Sequence, residues 1–213
     1  MKHIVLTAFF ALAAIYSNAQ KYPEPEFSNE ITYLVKDSIH SIIRLEKVSS
    51  KQENKAKAAG FGGFENGYTL PGERSEKRIK AGREHSFIFS TGSSASQSSA
   101  NTDSMMRANG MDPSMMQGIG SMNDPSNTIS LYKAESGKGE RKILMMKAGG
   151  MMSMGKKQKT SDKYTFSVRK IREGYWELVI DKLLAKGEYA FTMSGGMNTG
   201  MDGSVTLFAF GVD

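Results

Sequence analysis

Along most of this chain apolar and polar residues alternate with a period of two, the pattern of strands that bury one face. Ile31, Tyr33 and Val35 predict a first strand, rich in β-branched and aromatic residues. Short strands are expected at about 76 to 80 and at Ser86–Ser90. Further strands follow at Thr128–Ala134, with Ile129 and Leu131 on one face, and at Lys142–Ala148. Tyr164, Phe166 and Val168 alternate on the next strand and Trp176, Leu178 and Ile180 on the one after it. The chain is organised around its last two: Lys186–Met193, with Tyr189, Phe191 and Met193 on one face, and Ser204–Val212, apolar for most of its length. They predict a closing hairpin buried deep in a sheet packing.

Turn signals separate these runs. Pro71-Gly72 suits the centre of a type II turn, Gly137-Lys138-Gly139 marks a hairpin, and Arg172-Glu173-Gly174 a third turn. Pro23 and Pro25 make residues 20–28 an extended leader. Residues 38–59 are ambiguous: Ile39, Ile42 and Ile43 fit a helix face, whereas Ile39, Ile43 and Leu45 alternate. A strand over 40–48 is favoured, running on into a lysine-rich edge or loop, with a helix as the alternative. Gly60 to Gly67 lacks the spacing of a dinucleotide or phosphate loop and predicts a turn, with Phe61 and Phe64 tucked onto the core. Gly72-Glu73-Arg74 is echoed by Gly139-Glu140-Arg141, but the similarity does not extend.

From Thr91 to Asn127 serine, glycine, asparagine and methionine replace the strand formers, and a long flexible insertion is expected. A second glycine-methionine loop spans 149–161. The expected fold is all-β: one β-sandwich-like domain over 20–213, with about nine or ten strands, interrupted at 91–127.

Composition then sets the compartment and narrows the chemistry. Lys2, the apolar run Ile4–Tyr16 and Ser17-Asn18-Ala19 before Gln20 predict a secretory signal over residues 1–19. The run is too short, and too soon followed by polar residues, for a membrane span, so no transmembrane span is expected after its removal. The expected setting is periplasmic, outer-membrane-associated or secreted. The chain has no cysteine, which excludes disulfides and thiol chemistry. Without Lys2 the charge falls from +6 to +5. Scattered basic residues with no aromatic stacking platform do not predict nucleic-acid binding.

Candidate chemistry is sparse. His40 and His85 lie far apart without carboxylates at metal or triad spacing, and no serine sits in a G-x-S-x-G elbow. Methionine is the anomaly: of the 15, all but Met1 fall between 105 and 201. Thioethers are soft ligands, so Met111, Met115, Met116, Met151, Met152 and Met154 are candidates for Cu(I) or Ag(I). The competing roles are an adaptable contact surface, a sacrificial sink for oxidants, or none.

Two motifs carry a resemblance. Leu184-Ala185-Lys186-Gly187-Glu188-Tyr189-Ala190-Phe191 and Phe208-Ala209-Phe210-Gly211-Val212-Asp213, behind the signal, make the chain resemble uncharacterised exported β-rich proteins of Gram-negative bacteria. The resemblance implies a cell-envelope setting and a β fold, and assigns no functional residue. The function expected is that of a non-enzymatic envelope protein, structural or binding an envelope protein or a surface glycan. The alternatives are a methionine-rich periplasmic Cu(I)/Ag(I)-binding protein and a hydrolase whose site the sequence hides.

Overall fold

The computed structural model describes residues 22–57, 63–91, 108, 124–149, 159–194 and 199–213. The expected signal over 1–19, most of the insertion and most of the 149–161 loop lie outside the described residues. Thirteen strands are described: β1 (Glu30–Val35), β2 (Ser41–Arg44), β3 (Glu46–Lys57), β4 (Gly63–Pro71), β5 (Arg78–Ile79), β6 (Ser86–Ser90), β7 (Ile129–Gly137), β8 (Glu140–Gly149), β9 (Lys163–Tyr164), β10 (Phe166–Arg172), β11 (Tyr175–Ile180), β12 (Gly187–Met193) and β13 (Ser204–Val212). The count exceeds the nine or ten expected because β5 and β9 are two-residue pairings and because the chain breaks at Leu45 and Thr165.

The fold is all-β, in two layers. One is a five-stranded antiparallel sheet in the order β10-β11-β6-β1-β2. The other runs β12-β13-β3-β4-β8-β7, and pairing of β7 with β12 closes it into a six-stranded barrel; β9 adds to β7, and β5 pairs in parallel with β13. Closure removes the edges that an open sheet would leave.

The closing hairpin is buried on both faces because it forms the barrel wall against which the sheet packs. Tyr189, Phe191, Met193, Phe208, Phe210 and Val212 face Ile31, Tyr33, Phe87, Phe89, Trp176 and Leu178 of the sheet. Ala190, Leu207 and Ala209 point the other way, into the lumen with Val48, Leu70, Ala134 and Ile143. Large residues fill the seam between layers and alanines suit the narrow lumen, as a small barrel requires. The Phe87 ring meets Phe191 at 4.8 Å and Phe210 at 5.1 Å, and Phe89 stacks on Trp176 at 5.8 Å.

The outer face of the sheet carries Leu34, Ile88 and Tyr175, against which Tyr22 packs. The leader crosses this face: the Tyr175 hydroxyl donates to the Pro23 carbonyl, and the Tyr22 hydroxyl donates to Glu177 Oε2 at 3.1 Å. Burial pushes the Tyr175 phenol up to about 12.

Several local expectations are corrected. The favoured strand over 40–48 is two strands broken at Leu45, and its lysine-rich continuation is neither edge nor loop but part of β3, which lies between β13 and β4 and runs to Lys57. The glycine-rich stretch is strand from Gly63 onward, and Phe64 is 36% exposed on it, off the core. The run from Tyr164 to Val168 changes layers at Thr165: Tyr164 pairs with the barrel and Phe166 with the sheet. The end of the insertion forms a helical turn, α1 (Pro125–Thr128), whose N-cap Asp124 accepts from the Ser126 N–H at 2.9 Å. Lys138 and Gly139 both have positive φ, the type I′ geometry of a two-residue hairpin. No helix among the described residues is long and apolar enough to cross a membrane.

Candidate functional site

The two ends of the barrel differ in chemistry. At one end lie the starts of β3, β8 and β12, the ends of β4, β7 and β13, and the loop 72–77. This end is plugged. Arg141 points inward from β8, opposite Leu70 and two residues before Ile143, and is only 1% exposed. Its guanidinium donates to Glu46 at 3.0 and 2.7 Å, to the Gly72 carbonyl at 3.1 Å and to the Pro71 carbonyl at 2.8 Å. Burial pushes the Glu46 carboxyl up, but the Arg141 guanidinium and the Ser75 hydroxyl pull it further the other way, leaving it below its ordinary value.

Glu188 lies 3.8 Å from Arg141, accepts from the Ser75 N–H at 2.7 Å and pairs with Arg78. Arg78 also donates to Asp213, 3.0 Å from its Nε, and its guanidinium lies across Gly211, where a Cβ would sit 1.7 Å from Nη1. Glu188, Gly211 and Asp213 belong to the two closing sequence motifs, Leu184–Phe191 and Phe208–Asp213. They share one physical task, holding Arg78 across the end of the barrel. The echoed arginines are not equivalent, since Arg74 is exposed on Asp213 whereas Arg141 is buried.

At the other end β3, β4 and β8 outrun the wall. The pairing of β3 with β13 stops at Lys51, and that of β8 with β7 stops at Lys142. Beyond the rim three strands continue as an extension whose faces can be assigned from register. Gln52, Asn54 and Ala56 stand opposite Tyr68, Asn66 and Phe64, and Asn66 stands opposite Met146. This face continues the lumen, because Tyr68 packs against the lumen cluster. It carries no charge. On the reverse face stand Glu53, Lys55, Glu65, Lys142 and Lys147, where Lys55 pairs with Glu53 and Lys147 with Glu65. Among the described residues that face holds a depression of about 10 Å³, room for one water.

The uncharged face is bonded along its width: Gln52 Nε2 donates to Asn66 Oδ1 at 2.8 Å, and Asn66 Nδ2 donates to Asn54 Oδ1. Tyr132 also packs against the lumen cluster, with Lys163 Nζ 6.0 Å from its ring centre. Burial and then the neighbouring Tyr132 push the Tyr68 phenol above its ordinary value. A bulge in β8 sits opposite the step from Asn66 to Gly67, where a Cβ on Gly67 would lie 2.1 Å from the Ile143 carbonyl oxygen.

The metal candidates Met111, Met115, Met116, Met151, Met152 and Met154 all lie outside the described residues. Among the described residues no group of three His, Asp or Glu side chains is placed to hold a metal ion. His40 lies in the β1–β2 connection with its ring 6.0 Å from Tyr22, and His85 is buried beside Tyr33, so the two are not brought together. A third charged cluster, on the outer face of the sheet, centres on Glu177, which is fully buried with Lys36 at 2.8 Å and Arg169 at 3.6 Å. Burial pushes this carboxyl up, but Lys36, Ser86 and Tyr22 together bring it below its ordinary value.

The chain matches no family model, no curated protein and no solved structure.

Proposed function

We propose that this is a non-enzymatic exported protein of the cell envelope that holds another protein or a surface glycan on the uncharged face above the open barrel rim. The observation that carries the proposal is the segregation of charge across the β3-β4-β8 extension. Both faces of an extension standing in water accommodate charge equally well. A face depleted of charge and carrying Tyr68, Phe64, Met146 and three amides has the composition of an interface core. The amides supply donors and acceptors suited to either a polypeptide backbone or sugar hydroxyls. The plugged end offers no such surface, because its carboxylates are committed to Arg141 and Arg78.

The test is a photo-crosslinking residue placed at Asn54, or at Lys77 by the plugged end, in producing cells. A discrete adduct from position 54 alone, its mass resolved into peptide or sugar, is the expected result. Equal adducts from both positions, or none from 54, would overturn the proposal.

A second proposal, Cu(I) or Ag(I) binding, is favoured by connectivity. Segments 92–123, 150–158 and 195–198 contain most of the methionines; the last two are flanked by barrel strands that end or begin on this side, the first runs from β6 of the sheet to β7, whose start lies on this side, and Met201 there is fully exposed. Anaerobic Cu(I) competition should show defined uptake that disappears when Met111, Met115, Met116, Met151, Met152 and Met154 are replaced by leucine. No uptake by the parent removes this reading.

A further inference from the structure

His85 is 1% exposed just before β6, with its ring against Tyr33 of the seam between the sheet and the barrel. Its backbone carbonyl accepts from the Ile180 N–H at 3.0 Å, which ties it to β11. Its Nδ1 lies 3.4 Å from the Tyr33 hydroxyl, and its ring centre is 5.8 Å from that of Tyr33. Nε2 is buried and meets no hydrogen-bond partner among the described residues.

Among the described residues, the charged groups nearby offer an imidazolium no counter-ion. The Arg83 guanidinium stands 6.0 Å from the centre of the Tyr33 ring and repels a second positive charge. Glu84 is turned to Lys36 at 3.5 Å, and Asp181 accepts from the Ser167 hydroxyl at 2.7 Å. The neutral ring leaves one nitrogen unpaired in an apolar seam. The protonated ring would place a full charge there, with a second N–H donor that has no acceptor.

We propose that His85 makes the seam between the five-stranded sheet and the barrel acid-labile, the sheet loosening from the barrel wall when the imidazole takes up a proton. The sign follows from where the proton is held more tightly. Burial, and then Arg83, hold the folded-state value below the ordinary one, so the opened form binds more protons than the closed form between the two values. Closure is therefore complete above the ordinary histidine value of about 6.5 and weakens as pH falls through it. One proton of difference corresponds to an opening constant that rises up to about tenfold per pH unit in that window.

The experiment is amide hydrogen exchange of the full chain, read by mass spectrometry from pH 7 to pH 5 and corrected for the intrinsic rate at each pH. Peptides from β1, β6 and β11 should lose protection as pH falls, while β4 and β8 of the far barrel wall keep theirs. In His85→Phe the pH dependence of β1, β6 and β11 should vanish. The same acid response in that variant, or loss of protection shared equally by β4 and β8, would overturn the proposal. Should His85→Phe fail to fold, nuclear magnetic resonance titration of the parent's histidine rings decides. Protonation of His85 in step with loss of sheet protection supports the proposal. An imidazole that takes up its proton with protection unchanged refutes it.

Discussion

Replacing Arg141 by methionine tests whether the plug holds the barrel together. Methionine keeps the unbranched apolar stem and removes the guanidinium. Four hydrogen bonds disappear: two to the Glu46 carboxylate and two to the Gly72 and Pro71 carbonyls. Glu46 is partly exposed and recovers some hydration, and Glu188 keeps Ser75 and Arg78. The two carbonyls lose the donor that Arg141 supplied. Breaking a buried pair from one side costs about 3–5 kcal/mol, a large share of the roughly 5–15 kcal/mol that holds a domain folded. Urea unfolding followed by fluorescence of Trp176, which lies in the seam, should show the midpoint falling with an unchanged slope. Glu46→Gln alone and the double variant complete a cycle, in which the double variant should be less destabilised than the sum of the two singles. A loss below about 1 kcal/mol, the scale of an exposed ion pair, would refute the buried-plug account.

Three further outcomes are expected. Phe191→Ala, at the centre of the aromatic seam, should cost about 3–5 kcal/mol in the same unfolding measurement, whereas Leu183→Ala, at an exposed position, should stay within about 0.5 kcal/mol. Gly67→Ala forces β4 from β8 at the bulge and should cost about 1–3 kcal/mol with faster amide exchange in β8, while Gly137→Ala, which meets nothing within 4 Å, should leave that exchange unchanged. Glu46 and Glu177 are held below the ordinary carboxylate range, so the stability they confer is present above it and lost as pH falls through the lowered values. Glu177→Gln should therefore flatten the acid limb of a stability–pH profile, and a limb of unchanged steepness would contradict the assignment.

The period-two pattern determined the class of fold and most of its strands, because a half-buried strand must alternate whatever it packs against. It also determined that the last strand is buried on both faces, since Leu207–Val212 offers water neither side. Pattern alone left the far part of β3 open between a lysine-rich edge and a loop. Apolar residues stop after Val48, yet the strand continues for nine residues with charges on one face and amides on the other. The signal was present in the alternation of Lys51, Glu53 and Lys55 with Gln52 and Asn54, but a test for apolar residues passes over it.

What only the tertiary structure decided is which surfaces meet. A sandwich and a barrel backed by a sheet share the same local alternation, and only the pairing of β7 with β12 closes the wall. The pairing of Arg141 with Glu46 spans 95 residues and that of Arg78 with Glu188 spans 110. Each arginine reads locally as an ordinary surface charge, and becomes a plug only when register carries it across the end of a closed barrel. His85 likewise reads as a lone histidine beside a strand. Its burial without a partner for Nε2 follows from the sheet settling on the barrel, a long-range event that short-range pattern does not encode.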